Sequence, residues 1–361
     1  MTLQLGILLS AKRYRRLLSV QTDSWRTAAL THERTSGVRL LLAPPTHLQM
    51  DAAGTRMAAA TESGWREDVV EPIPRVFYNL LVRPVPAEAR ALRDLNGDQR
   101  VVLFNETNRW DRSMINGILA AIPETQSLVA PGEPFGLNPP GPGLCLVAPT
   151  RRSLRDGALL VETGMGGRIR YTDLHDGRTG TVVRKEWPQS LPLRVAPRHL
   201  QLEYLSGWPV GPEGPVEWRF YLHRGETGAW AVAGSVAKRD AIRIGSPRER
   251  CWPLAEALSL TFGAEGPALA GRLQAAALSV MEGVALFLPG IAHAALDFWL
   301  DQEGRPTLVD LAGRFRLDWL TRAGESRAYQ RLWEHPVHFA QLLARTGVEK
   351  LHVDFGRSWG R

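Results

Sequence analysis

Short apolar runs ended by turn residues alternate with stretches of helical period through the first third of the chain, and this alternation sets the fold class. The opening segment, Met1-Thr-Leu-Gln-Leu-Gly-Ile-Leu-Leu-Ser10, reads as a first core strand. Residues 38–44 (Val-Arg-Leu-Leu-Leu-Ala-Pro) and 100–105 (Arg-Val-Val-Leu-Phe-Asn) are nearly continuous apolar runs, as strands buried on both faces of a parallel sheet are. Between them lie the extended segment Pro72–Asn79 and a helical stretch from Pro86 to Leu95. Asp111 is placed to cap a helix whose Ile115, Ile118, Leu119 and Ile122 recur at helix spacing, and Pro123 ends it. The pattern predicts an α/β domain over residues 1–130.

A segment rich in Pro and Gly, from Pro131 to Gly143, reads as a domain joint. Period-2 segments then predict a small β-rich lobe over residues 131–205, with strands at 144–149, 158–163 and 168–172. A C-terminal lobe over 206–325 follows. It opens on the hairpin Val216–Arg224, turn Gly225-Glu-Thr-Gly228, and Ala229–Ala237. Alternation in its first strand puts Glu217, Arg219 and Tyr221 on one face and Trp218, Phe220 and Leu222 on the other. A long helix is expected from about Ala268 to Phe287, with Leu269, Leu273, Ala277, Val280, Met281 and Val284 on one stripe. Residues 326–361 are expected to form a closing helix near Tyr329–Ala344 and a frayed tail.

A second hairpin carries the most pointed chemistry. Ala295–Asp301 and Pro306–Ala312 flank the turn Gln302-Glu-Gly-Arg305. If Asp301 pairs with Pro306, the register sets Asp297 directly opposite Asp310. Like charges facing each other destabilise a sheet unless a cation lies between them. A hard divalent ion is one such cation; an arginine, such as Arg314, is another.

Composition narrows the function classes. The net charge is +7 over 361 residues, yet Lys12, Lys185, Lys238 and Lys350 are the only lysines. The arginines are scattered, and Lys12-Arg13-Tyr14-Arg15-Arg16 is the single tight basic cluster, expected to be a solvated helix or loop; this argues against a nucleic-acid-binding face. No apolar run is long enough to span a membrane, and the opening strand lacks the charge order of a signal peptide, so the chain is expected in the cytoplasm. Cys145 and Cys251 make neither a disulfide framework nor a metal set and are expected to be reduced and buried. Gly164-Met-Gly-Gly167 precedes a strand, not a helix, and is expected to be a hairpin turn. His335 and His338 lie three apart on the closing helix, where helix-surface polarity is the default. Neither cysteine has a neighbouring histidine to activate it.

The order of these elements resembles an ATP-grasp protein, and more narrowly the YheC/YheD group of endospore coat-associated proteins. The resemblance rests on Pro74-Arg-Val-Phe-Tyr-Asn-Leu-Leu-Val-Arg83, Leu103-Phe-Asn-Glu-Thr-Asn108, Ile122-Pro-Glu-Thr125, Val216-Glu-Trp-Arg219, Asp297 with Leu308-Val-Asp310, and His335-Pro-Val-His-Phe-Ala340. It implies an ATP-grasp fold with an N-terminal α/β domain, and ATP and magnesium as cofactors. It places Asp297 and Asp310 as metal ligands and Arg219 as the residue holding an acyl phosphate. Gln201 and Glu203 would stand in the adenine hinge, with an edge strand bearing an exposed Glu as the alternative. Lys238 would reach a phosphate, with a solvated strand end as the alternative.

The sequence departs from that group at the nucleotide lobe. Where the group has a phosphate-pairing lysine, the strand Leu144–Pro149 holds Ala148. The following loop, Thr150 to Gly157, has one glycine, and non-glycine residues resist the turns that wrap backbone amides around phosphates. Ala312 replaces a metal-ligating asparagine, and Asp310 a glutamate. Phosphoryl transfer is almost entirely positioning and charge stabilisation, and one lost contact of that kind costs on the order of 3–4 kcal/mol of barrier. Two functions are therefore carried forward. One is a catalytically degenerate scaffold or interaction protein with spore coat or other protein partners. The other is a Mg-ATP-dependent ligase joining a carboxylate to an amine or thiol through an acyl phosphate.

Overall fold

The computed structural model describes residues 2–19, 24–48, 54–70, 72–150, 157–164, 167–212, 215–239, 250–313 and 318–346. Arg314, residues 151–156 of the single-glycine loop, Met165 and Gly166 of the glycine turn, and the tail beyond 346 lie outside them. The described chain is α/β and builds three sheets.

The first sheet has the order β4-β3-β2-β1-β5-β6. Strands β1 (Leu3–Leu8), β2 (Val38–Ala43), β5 (Val76–Asn79) and β6 (Val102–Phe104) run parallel. β3 (Thr55–Thr61) and β4 (Gly64–Val70) form an antiparallel hairpin on one edge. Helices α1 (Ala11–Leu18), α2 (Ser24–Ser36) and α3 (Pro86–Gly97) connect the strands. The basic cluster forms α1: Tyr14 is buried, the four cationic side chains are exposed, and Arg13 lies 4.3 Å over the Trp25 ring. Asp111 caps α4 (Arg112–Ala120) by accepting from the Ser113 and Met114 amides at 3.0 and 3.4 Å.

The second sheet has the order β11-β10-β9-β8-β12-β7, from β7 (Gly132–Pro134), β8 (Gly143–Pro149), β9 (Leu159–Thr163), β10 (Arg168–Asp173), β11 (Thr179–Val183) and β12 (Leu200–Leu205). Here β12 is an interior strand, hydrogen-bonded on both sides to β8 and β7, and not an edge. The third sheet, β15-β14-β13-β16-β17, comprises β13 (Glu217–Arg224), β14 (Trp230–Arg239), β15 (Arg250–Pro253), β16 (His293–Leu300) and β17 (Pro306–Ala312). α5 (Leu254–Phe262) and α6 (Gly266–Phe287) follow β15. Trp218, Phe220 and Leu222 of β13 meet Leu269, Leu273, Ala277, Val280, Met281 and Val284 of α6 in the largest apolar cluster. The opposite face is covered by α7 (Asp318–Arg322) and α8 (Ser326–Thr346).

α8 is more than a closing appendage. Its Val337, Phe339, Ala340 and Leu343 complete the core of the first sheet beside Leu5, Ile7, Val38 and Tyr78. Among the described residues, no helix is long and apolar enough to cross a membrane. Cys145 is buried and Cys251 half-buried, and neither forms a disulfide among the described residues.

Three asparagines from the motifs noted above join the first sheet to the third. Asn105 has φ +57°, a left-handed conformation that asparagine tolerates better than most residues. Its side chain accepts from the Ala292 and His293 amides and donates to the His293 carbonyl. Asn79 donates to the carbonyls of Asn105 and Glu106, and Asn108 to those of Asn79 and Leu81. The Gly313 amide donates to the Asn108 carbonyl, and a Cβ at Gly313 would lie 2.5 Å from Asn108. All three asparagines are buried, so these motifs act as an interdomain knot.

His223, His293 and His335 gather beside the knot, with ring centroids 5.5 Å apart for the first pair and 6.1 Å between His223 and His335. Burial pushes His293 down to about 4, although its bond to the Gly313 carbonyl opposes this, and it also holds His223 well below the usual imidazole range. A folded-state value below the unfolded value of 6.5 means that the unfolded chain takes up these protons first. Stability is therefore complete above pH 6.5 and falls as the pH drops toward 4. At pH 5, His293 alone should cost about 2 kcal/mol. Urea midpoints at pH 7.5 and 5 measure the loss, and it should shrink in His293→Gln. An equal loss in parent and variant would remove His293 from this role.

Candidate functional site

The carboxylate hairpin is built from β16 and β17, and its register holds a correction. Asp301 does not pair with Pro306. It is buried and organises the turn, accepting from the amides of Glu303 and Arg305 and from the Arg305 side chain, while Leu300 pairs with Pro306. Continued unbroken, that register would set Asp297 against Val309. A β-bulge after Leu308 makes Val309 the extra residue and brings Asp310 opposite Asp297.

Arg219 is the cross-strand partner of Asp297 on its other side, so Arg219, Asp297 and Asp310 form a row over three strands. The Arg219 guanidinium grips Asp297 with Nε on Oδ1 at 2.7 Å and Nη2 on Oδ2, and both side chains are buried. Lys238, paired with Glu217 across β13 and β14, salt-bridges Glu217 and lies 3.6 Å from Asp297. It is not a solvated strand end, because only 1% of its side chain is exposed. The Trp319 ring of α7 covers both cations, 4.5 Å from the Arg219 guanidinium and 4.3 Å from Lys238 Nζ. Asp310 keeps some surface exposed but sits deep among neighbouring atoms. Burial and the Asp297 charge raise its carboxyl above the usual range, against the pull of Arg112, Arg219 and Lys238.

This donor set does not fit a hard divalent ion as it stands. Both Asp297 oxygens are held by Arg219, Ala312 offers no ligand oxygen, and no group of three or more His, Cys, Asp or Glu side chains among the described residues is arranged to hold a metal. The cations that offset the paired aspartates are Arg219, Lys238 and Arg112.

Gln201 and Glu203 lie on the inner face of the second sheet. The β8–β12 register pairs Gln201 with Ala148 and Glu203 with Leu146, so these four share one face. Glu203 is fully buried and already engaged: Arg112 grips it with Nε on Oε1 at 2.6 Å and Nη2 on Oε2 at 2.7 Å, and Asn116 and Gln201 donate to Oε1. Arg112 Nη1 also donates to the Val309 carbonyl, which the bulge takes out of the regular ladder. Gln201 accepts from Ser113 at 2.6 Å. Burial works against the charge of Arg112, yet Glu203 and Asp310 hold its pKa above the ordinary value. Glu203 is therefore not an exposed edge glutamate; with Arg112 and the Val309 carbonyl it forms an interlobe staple.

The rest of that face is sealed by apolar packing. Trp299 and Val309 of the carboxylate hairpin sit in one cluster with Leu144, Leu146, Ala148, Ala158 and Leu160 of the small lobe, and Ala148 has no exposed surface. No motif in the sequence marks Arg112, Trp299, Val309 or Trp319 as part of this site. Arg112, the first residue after the helix cap, lies three and seven positions before Ile115 and Leu119 and so shares their helix face, and nothing local names its partner.

No protein-family model matches the sequence, and no curated protein is similar to it. Among solved structures, the chain is similar to N5-carboxyaminoimidazole ribonucleotide synthetase from Thermus thermophilus, at 17% identity over 90% of this chain and 76% of that one, with a TM-score of 0.47. It is similar to the D-alanine-D-alanine ligase from Coxiella burnetii at 10% identity over 95% and 97%, with a TM-score of 0.47. It is also similar to the ATP-grasp ligase PsnB complexed with minimal precursor, at 11% identity over 91% and 100%, with a TM-score of 0.46.

Proposed function

We propose that the chain is an ATP-grasp-type protein whose interlobe cleft is filled by its own side chains, and that it serves as a non-catalytic scaffold or interaction protein of the kind the YheC/YheD resemblance implies. The carrying observation is the small-lobe face. The position where that resemblance expects a phosphate-pairing lysine is Ala148, fully buried under Trp299 and Val309, and the hinge acceptor Glu203 is held by Arg112. A nucleotide entering there must displace the apolar cluster and break the staple.

The test is the melting temperature with and without 1 mM Mg-ATP. A ligand bound only to the folded state with a Kd of about 10 µM would add about 2.7 kcal/mol at that concentration, so the expected result is no shift. A clear rise sinks the sealed-cleft reading.

A Mg-ATP-dependent ligase joining a carboxylate to an amine or thiol is the second reading. It is favoured by one observation: Arg219, Asp297 and Asp310 stand in a row on one sheet face. ADP release in the presence of carboxylate and amine donors would establish it over the scaffold.

A further inference from the structure

We propose that a second cleft, on the α6 side of the third sheet, binds a small organic anion with an apolar body. Its volume is about 880 Å³, within the range of roughly 300–1,000 Å³ typical of small-molecule sites. It forms where three parts of the molecule meet: the approach to α4, the end of β8 with the segment before β12, and the residue after α6. Trp110, which belongs to the cluster beneath α6, lines it, whereas Arg219 and Asp297 lie on the other face of that sheet. The two clefts are therefore separate.

The lining divides by chemistry. Trp110, Met114, Pro149, Val195 and Leu288 supply an apolar wall, and Met114 is 43% exposed although it is a large hydrophobe. The charged residues are Arg109, Arg194 and Asp111, with His199 beside them. The Asp111 carboxylate is turned to the α4 cap, where it accepts from the Ser113 and Met114 amides. Arg194 uses Nε and Nη2 to hold Asp173 and Asp176, which fixes its guanidinium in place; its side chain remains 40% exposed and Nη1 lies outside both pairs. A pre-positioned guanidinium over an apolar wall suits a carboxylate, sulfonate or phosphate carried on an aromatic or aliphatic body.

The probe is 8-anilinonaphthalene-1-sulfonate, titrated by fluorescence into the full-length protein, with N-phenyl-1-naphthylamine as the partner lacking the charge. The expected result is saturable one-to-one binding of the sulfonate, at least tenfold tighter than that of the amine. Met114→Trp fills the cleft from an exposed position and should weaken the sulfonate at least tenfold with an unchanged melting temperature. Leu260→Ser, at an exposed apolar residue elsewhere (62% exposed), should leave it unchanged. Absence of saturable binding, equal affinity for the uncharged probe, or binding indifferent to Met114→Trp would each overturn the proposal. Because the cleft is distinct from the interlobe face, 1 mM Mg-ATP should not displace the probe. Displacement would overturn the ligand class proposed here, whereas a melting shift without displacement would count only against the sealed interlobe cleft.

Discussion

Arg219→Ala is expected to lower the unfolding free energy by about 3 kcal/mol, measured as a fall in urea midpoint at constant slope. The residue removed is one half of a buried pair. Asp297 would keep its charge at 2% exposure with both guanidinium bonds gone. Breaking such a pair from one side typically costs about 3–5 kcal/mol, because an uncompensated charge stays buried. Lys238, still 3.6 Å from Asp297, holds the loss toward the lower end. The same reasoning predicts that the double replacement Arg219→Met with Asp297→Leu recovers most of the loss, since it leaves no orphaned partner at that contact. A single variant melting like the parent would remove the structural role of Arg219.

Arg112→Ala should be comparably severe, and its damage should be localised. Glu203, with no exposed surface, would retain only the neutral donors Asn116 and Gln201, and Val309 would lose the donor to its bulged carbonyl. A loss of about 3–5 kcal/mol is expected. Hydrogen exchange should accelerate in β8, β12 and the hairpin β16–β17 before it does in the first sheet. Arg112→Lys should not rescue, because an ammonium cannot grip two carboxylate oxygens and a carbonyl with one fixed fork. Uniform exchange across all three sheets would show that Arg112 is not what joins the lobes.

How much of this was legible depends on how far each signal travels along the chain. β2 and β6 were readable because strands buried on both faces carry continuous apolar runs. β3 was not: Thr-Arg-Met-Ala-Ala-Ala-Thr is built of small residues that suit a helix or a strand equally. The hairpin made the opposition of Asp297 and Asp310 readable, but through a turn pairing that the fold does not use. The bulge at Val309, invisible in the sequence, restores the register. Lys238 looked solvated because it stands near a strand end, and the Trp319 that buries it belongs to an element far along the chain. The Arg112–Glu203 contact spans 91 residues, and no local pattern marks either partner. Asn79, Asn105 and Asn108 drew notice as motif residues, yet their role needs Ala292, His293 and Gly313, which only the assembled fold brings near.

The packing of α8 onto the first sheet also bears on how the chain is made. Tyr329 meets Ser24 and Gln341 meets Ser36, each pair 305 residues apart, and Trp333 packs edge-on against Trp25. At roughly 5–20 residues per second, a ribosome would hold the amino-terminal strands for about 15–60 s before their last apolar partner emerged. The parallel strands would wait through that interval with a missing wall, exposed to chaperones and proteases. Synthesis rate and chaperone supply should therefore affect how much of this protein reaches its folded state.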